Sequence, residues 1–406
     1  MDRLCPRAEE GKAPAHSPTV GEVLRRFLSS ASAVLQLGAR PGRVLGLLAT
    51  CGTPQLGAHL YECRDCHQRH FGPRSCGDRH CPRCLAIKSR RWLQEQLASL
   101  LPVTYYHCVF TLPREVQALV LLNPARLYPL LFECASQSLL EFGRNRLGGD
   151  LGISAVLHTW GQQLNFHPHL HCIVTGGALR VDGQSWRAPK QRKFLFPIRA
   201  LAALFRGKFL AGLQSMLKGP EPLRLPEGRG PSAFSRRDWL SHLYEQRWHL
   251  YAKRPFGGPE QVLAYLANYT HRVALSNRRL LALDPLRQSV SFTYRDYRHG
   301  AQVQTLTLSA VEFIRRFSWH ILPAGLVRIR HYGILANNRR HRDVPRARAL
   351  LQKPRRRTMP TAPMPPTAQS PRRCPHCGSE NVRWIGWLDG RGRIHLRVSV
   401  LIWDSS

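Results

Sequence analysis

Acid is what this chain lacks most. Against 60 Lys plus Arg it carries 25 Asp plus Glu, a formal charge of +35, and only eight of the sixty are Lys. So few carboxylates argue against chemistry built on three acidic residues and two metals, and the surplus of cation points to a polyanionic partner. Arginine in particular suits phosphate, because its planar guanidinium can make two parallel hydrogen bonds to phosphate oxygens. A GC-rich coding bias accounts for Arg over Lys but not for the missing acids. No run of eighteen apolar residues occurs, and "MDRLCPRAEEGKAPAHS" at the start holds no apolar segment of the signal-peptide kind. The expectation is an intracellular, cytoplasmic protein with no membrane partner. In a reducing compartment twelve cysteines are metal ligands rather than disulfides.

At 406 residues, with 43% hydrophobic content, the chain is long enough for two or three domains. Apolar residues at helical spacing on both sides of Pro41-Gly42 mark 1–50 as a helical lead-in. From 51 to 90 the sequence is rich in Cys, His and Gly, a composition that nucleates on metal. Residues 91–338 read as one catalytic domain. It holds a basic helix at "LAIKSRRWLQEQLASL", a strand at "TYYHCVFTLP", a helix at "ARLYPLLFECASQSLLEFGRNR", and strand-turn-strand from "GISAVLHTW" through "GQQLN" to "HLHCIVTG". Helices over "PIRALAALFRGKFLAGLQSML", "WLSHLYEQRWHLYA" and "PEQVLAYLANYTHRVA" follow, then a hairpin of "SVSFTYRD" and "QVQTLTLS". Residues 339–373, with charge runs and seven prolines, read as a basic Pro-rich linker before a tail at 374–406.

Three C-x-x-C pairs occur, Cys63/Cys66, Cys81/Cys84 and Cys374/Cys377, where chance would give about 0.35. The first two are spaced as in a closed tetrahedral zinc site, so Cys63, Cys66, Cys81 and Cys84 are expected to share one Zn2+. Cys51, His59, Cys76 and His80 interleave with them and would suit a second zinc. The alternative is that one ion takes four of the eight and the rest are bystanders, or that His80 or Cys76 swaps into the first site. Cys374 and Cys377 are half of a ribbon with no second pair after them; the partner pair would come from another chain, or the half has decayed.

In "HTWGQQLNFHPHLHCIV" the alternate residues His169 and His171 lie on one face of a strand, a clip for a divalent ion, while Leu170 and Cys172 point into the core. A return strand brings His158 across as the third ligand in preference to His167, which Pro168 follows. Downstream, Tyr265 and Tyr269 are the only Y-x-x-x-Y in the chain, stacked on one helix face. Taken alone such a pair is ordinary core packing. Beside a metal clip, two phenols suit attack on a phosphodiester, with Arg272 placed to stabilise the developing oxyanion.

In that order "CGTPQLGAHLYECRDC", "SCGDRHCPRCL", "YYHCVFTLP", "HTWGQQLNFHPHLHCIVTGG" and "YLANYTHRVALSN" resemble the bacterial rolling-circle insertion-sequence transposases of the HUH, two-tyrosine class, over about 45–340. The resemblance implies an α+β fold: a zinc-binding domain, then an HUH endonuclease domain on a ferredoxin-like antiparallel sheet. It implies that His169 and His171 hold Mg2+ or Mn2+ and that Tyr265 and Tyr269 are the nucleophiles. Each would cleave one strand of DNA at element ends or target through a 5'-phosphotyrosine link. The wider superfamily often places Lys after its tyrosine where this chain has Arg272. A conjugative relaxase or plasmid replication initiator shares the chemistry, and a non-enzymatic zinc DNA-binding protein would leave tyrosines and histidines as bystanders.

Overall fold

The structure is a computed structural model and describes residues 18–85, 100–190, 195–221, 223–226, 236–256, 274–297, 299–351 and 373–396. In chain order helices α1 (Val20–Val34) and α2 (Ala39–Ala49) lead to strands β1 (Ala58–Cys63), β2 (Arg69–Pro73) and β3 (Tyr105–Thr111). Helices α3 (Arg114–Leu122) and α4 (Pro124–Leu147) precede β4 (Gly149–Trp160), β5 (Phe166–Arg180) and the short β6 (Trp186–Arg187). Then come α5 (Ile198–Lys218), α6 (Arg236–Glu245), β7 (Leu250–Phe256), β8 (Leu280–Asp284), β9 (Ser289–Asp296) and β10 (Gln302–Ser309). Helix α7 (Ala310–Ser318), β11 (Ile329–Gly333), α8 (Arg340–Leu351), β12 (Val382–Leu388) and β13 (Ile394–Leu396) close the described chain.

The central sheet runs β11-β4-β5-β3-β7, with β6 on β5, and every pair is antiparallel. The expected β4-turn-β5 ribbon is present. Alternation gives it two faces. Cys108, Phe110, Ile153, Ala155, Leu157, Leu170, Cys172 and Val174 join residues of α3, α4 and α5 in one apolar core. Within it Phe205 meets Phe110 edge-on at 5.0 Å and Trp248 at 5.6 Å, and each buried ring stabilises by about 1.5–3 kcal/mol. The opposite face carries His107, Val109, Val156, His158, His169, His171 and Ile173, by the same alternation.

A second core joins α1 and α2 to α7, to β8–β10, which form their own antiparallel sheet, and to Cys51, Cys81 and Cys84. Helix α1 begins in a capping box: Thr19 Oγ1 accepts from Glu22 N at 3.2 Å, and Glu22 Oε2 from Thr19 N at 2.7 Å. Pro41 and Gly42 do not break the lead-in but sit in the first turn of α2, where proline's missing N–H costs nothing. The expected hairpin is β9-β10, Ser289 opposite Ser309 through Asp296 opposite Gln302.

Two expected segments differ. Helix over "WLSHLYEQRWHLYA" stops at Glu245, and Leu250–Phe256 instead forms the sheet edge beside β3; Pro255 is tolerated there because an edge strand leaves one side of its backbone unpaired. The first twelve residues after Arg339 are helix α8 rather than linker. Val344 and Ala347 are buried against Leu101, Leu179 and Ile334, a short i, i+3 stripe that Pro345 disguises in the sequence. The rest of the expected linker, 352–372, the basic helix at 86–99 and the helix at 257–273 lie outside the described residues.

Asp150, at the start of β4, ties three elements together. It accepts from Arg144 Nε at 2.9 Å and from Arg339 Nη1 at 2.6 Å, while Arg339 Nε also meets Asp343 at 2.8 Å. Burial opposes the charge on Asp150, but the hydrogen bonds from Arg339 and Arg144 outweigh it and hold the carboxyl below its usual range. A lowered folded-state pKa gives stability that is present above the unfolded pKa of about 3.9 and lost as pH falls through the folded value. Asp150→Asn should therefore lower stability by about 1 kcal/mol at pH 7, the arginines being part-exposed. Thermal melts should show the deficit constant from pH 7 to 5 and shrinking only below about pH 4; a deficit that grows on acidification would contradict the network.

Candidate functional site

Eight cysteines form two four-sulfur clusters, Cys51/Cys76/Cys81/Cys84 and Cys63/Cys66/Cys374/Cys377, each with all ligand atoms within 4.8 Å of one another. Measured Sγ–Sγ separations are 3.6 Å for Cys51–Cys84, Cys76–Cys84 and Cys81–Cys51, 3.6 Å for Cys63–Cys377 and 3.5 Å for Cys66–Cys374. Thiolates around zinc at about 2.3 Å stand roughly 3.8 Å apart at the corners of a tetrahedron, so both clusters fit structural Zn2+. The expected ligand set is thus corrected. Cys63/Cys66 and Cys81/Cys84 do not share an ion, and the C-terminal pair is not a half-ribbon.

Strand pairing explains the exchange. β12 lies antiparallel on β1, from Ala58 opposite Leu388 to Cys63 opposite Val382, in the order β13-β12-β1-β2. The turn before β12 therefore lands on the turn after β1. Arg64 N donates to Asn381 O at 2.8 Å, Asn381 Nδ2 to Asp65 at 2.8 Å, and the Ser379 hydroxyl to Asp65. Both turns need a left-handed residue after the second cysteine, and His67 (φ 56°) and Gly378 (φ 74°) supply it. The backbone N–H of Cys66, aimed at the Cys63 sulfur, draws that thiol down to about 7, toward the thiolate a metal requires.

Neither histidine expected at the second zinc is a ligand. His59, on β1, packs edge-on to Tyr61 at 6.1 Å and Trp384 at 6.5 Å. His80 uses both ring nitrogens elsewhere: Nδ1 is 2.8 Å from Asp78 Oδ1, and Nε2 accepts from Leu322 N at 3.0 Å. Beside it the Arg79 guanidinium donates to the carbonyls of Pro323, at 2.7 Å, and Leu326. His80 and Arg79 thus bolt the cysteine knuckle to the 322–326 segment.

On the face of the central sheet opposite the helical core, His158 stands directly opposite His169 in the β4-β5 register, and His171 follows two residues on. Ligand atoms of the three lie within 4.8 Å of one another, with ring centroids 4.5 Å apart for His158–His171 and 4.8 Å for His169–His171. His158 and His171 are buried. Burial, with His167 nearby, pulls His169 down to about 4, so it is neutral and its lone pair is available at pH 7. Its Nδ1 lies 2.6 Å from the His167 carbonyl; a carbonyl only accepts, so Nδ1 carries the proton and Nε2 keeps the lone pair. His167 itself stays outside the trio.

Supporting groups surround the trio. Trp160 stacks on His158 at 4.6 Å and meets His320 edge-on at 6.1 Å. His320 sits between Thr159 Oγ1, 3.1 Å from Nδ1, and Leu164 O, 3.2 Å from Nε2. His107, on β3, places Nε2 2.9 Å from His171 Nδ1. The sequence reading missed His107 and His320; a polar ring in the apolar strand "YYHCVF" was the available signal for the first. Tyr265, Tyr269 and Arg272 lie outside the described residues.

Comparison with known proteins decides the family. A model described as "Putative transposase" matches residues 152–342, and one described as "Transposase zinc-binding domain" matches 23–112. "Putative transposase y4qJ" of Sinorhizobium fredii is 39% identical over 92% of this chain and 96% of its own length. The chain belongs to the IS91-type family of rolling-circle transposases. "Transposase for insertion sequence element IS801" of Pseudomonas savastanoi pv. phaseolicola is 29% identical over 82% of this chain and 81% of its own. A solved structure, "Conjugative Relaxase TrwC in complex with mutant OriT Dna", matches at 16% identity and a TM-score of 0.24, over 39% of this chain and 70% of that one. The transposase is an α+β enzyme of DNA transposition with antiparallel sheets and cysteine zinc clusters. No described helix is long and apolar enough to cross a membrane.

Zinc analysis by mass spectrometry tests the ligand exchange. Wild type should carry two ions per chain, Cys374→Ser and Cys81→Ser one each, and His59→Ala and His80→Ala two. Loss of an ion with either alanine variant, or two ions retained by Cys374→Ser, would restore the interleaved scheme.

Proposed function

We propose that the transposase nicks and rejoins single DNA strands at an HUH centre on a ferredoxin-like sheet, with His158, His169 and His171 holding a divalent ion. The convergence of the three imidazoles on one sheet face carries this reading. When bound, the ion would polarise the scissile phosphate; of Mg2+ and Mn2+, three nitrogen donors suit Mn2+ better.

Tyr265 and Tyr269 are the proposed nucleophiles. The chain re-enters the described structure at Ala274, five residues after Tyr269, and Ala274 lines a small cavity with Trp160 and His320. Ala274 thus shares a cavity with Trp160, the ring that stacks on His158, which supports this reading. In the proposed step a phenolate oxygen attacks phosphorus, the bond to the 3'-oxygen breaks, and a 5'-phosphotyrosine remains while the leaving oxygen takes a proton to become a 3'-OH. A free tyrosine near pKa 10 attacks poorly at neutral pH, so Arg272 would stabilise the charge that develops on the phosphate. The second tyrosine repeats the step on another strand, and a 3'-OH reverses the link. Because the phosphodiester energy is kept in the tyrosine ester, rejoining needs no nucleotide cofactor. Element ends and target are the single-stranded substrates, at the bacterial nucleoid.

Incubation of the purified chain with labelled single-stranded DNA from an element end and Mn2+ should give an adduct that survives a denaturing gel. Tyr265→Phe and Tyr269→Phe should each retain some adduct, and the double variant and His169→Ala none. An adduct in the double variant would remove both tyrosines from the mechanism.

A further inference from the structure

A fourth histidine adjoins the trio. In the β3-β5 register Val109 faces His171 and His107 faces Ile173, so His107 and His171 are diagonal neighbours on the same face, a spacing that aromatic side chains bridge. Their rings are nearly parallel, at 8°, with centroids 5.1 Å apart and His107 Nε2 2.9 Å from His171 Nδ1, the edge-to-edge arrangement of an N–H···N hydrogen bond. His107 is 1% exposed, so the contact is shielded from competing water. Only one of the two facing nitrogens can hold the proton. If His107 donated it, neutral His171 would carry its own proton on Nε2, and neither nitrogen would offer a lone pair to an ion. If His171 donates, its proton sits on Nδ1 and Nε2 is free for ligation.

We infer that His107 is a positioning residue for the divalent ion: its Nε2 accepts from His171 Nδ1–H and so fixes the tautomer and ring plane in which His171 Nε2 ligates. His169 is held in the same way by the His167 carbonyl. Two of the three ligands thus have their non-ligating nitrogen engaged by a fixed partner. Such outer partners typically set metal affinity within a factor of about 10–100. The inference rests on the trio being a metal centre.

The test uses the full chain with its zinc clusters loaded and measures Mn2+ affinity by electron paramagnetic resonance, with no DNA and no turnover. His107→Phe keeps an aromatic ring but has no acceptor; its Kd should rise about 10- to 100-fold. His107→Gln can present an amide oxygen where Nε2 stood, and should bind within about fivefold of wild type if the acceptor is what matters. Electron spin-echo modulation should count three bound imidazoles in wild type and in His107→Gln. Failure of wild type to bind Mn2+ would overturn the metal centre itself. With wild-type binding intact, unchanged affinity in His107→Phe, a Gln variant more than tenfold weakened, or a fourth imidazole lost in His107→Gln would each overturn the positioning role. Should His107→Phe fail to fold, the Gln affinity and the imidazole count still decide.

Discussion

The register between β4 and β5 is the constraint on which the rest depends. Because side chains alternate along a strand, a slip of one residue would turn His169 and His171 into the helical core and Leu170 and Cys172 out of it. The apolar set forbids that slip. Leu170, Cys172 and Val174 have partners in Leu157, Ala155 and Ile153 and in the helices beyond, and exposing them would cost several kcal/mol, at about 1.5–3 per large side chain. The same packing that stabilises the domain therefore aims three imidazoles at one point, with His158 and His169 directly opposed.

The cysteine clusters do for the ends of the chain what that ribbon does for its middle. Cys63/Cys66 and Cys374/Cys377 are 308 to 314 residues apart in sequence yet share one cluster, so one ion would close about three quarters of the 406-residue chain into a loop. The entropy of such closure grows only logarithmically with length, and the β1-β12 ladder shares the cost. The other cluster is bolted through His80 and Arg79 to residues 322–326, next to the His320 ring that backs Trp160 and, through it, His158. Zinc binding and folding are linked in such modules, which gives the metal a path of rigid contacts from the cysteine knuckle toward the histidine cluster.

Much of this was legible in the sequence because its signals are local. Strict alternation in "HLHCIVTG" and the polar turn before it gave β4, β5 and the shared face of His169 and His171, and His158 followed from the antiparallel return. The zinc partners were not legible, since spacing rules favour the nearest pair and nothing in "CPHCGS" marks a partner some three hundred residues upstream. Helix α8 is hidden by Pro345 and by its arginines, one of which, Arg342, pairs with Asp343 together with Arg339 just before the helix. The stretch "RWHLYA" continues a helical spacing, and only pairing with the edge of β3 makes β7 a strand. His107 was overlooked because a single ring in an apolar strand is ordinarily a core residue; its meaning comes from the diagonal contact with His171.

Around this frame, a charge of +35 supplies the long-range attraction for a phosphate backbone, while the buried histidines supply what is local and chemical. Whether imidazoles and phenols serve one cation is the central question. Fluorotyrosine incorporated throughout the chain, with Tyr265 and Tyr269 assigned by their phenylalanine variants, would report it by 19F resonance as Mn2+ is added. A shared centre predicts that the signals of both residues are among the first to broaden beyond detection, in wild type and not in His169→Ala. Sharp signals from both at saturating Mn2+ would contradict it.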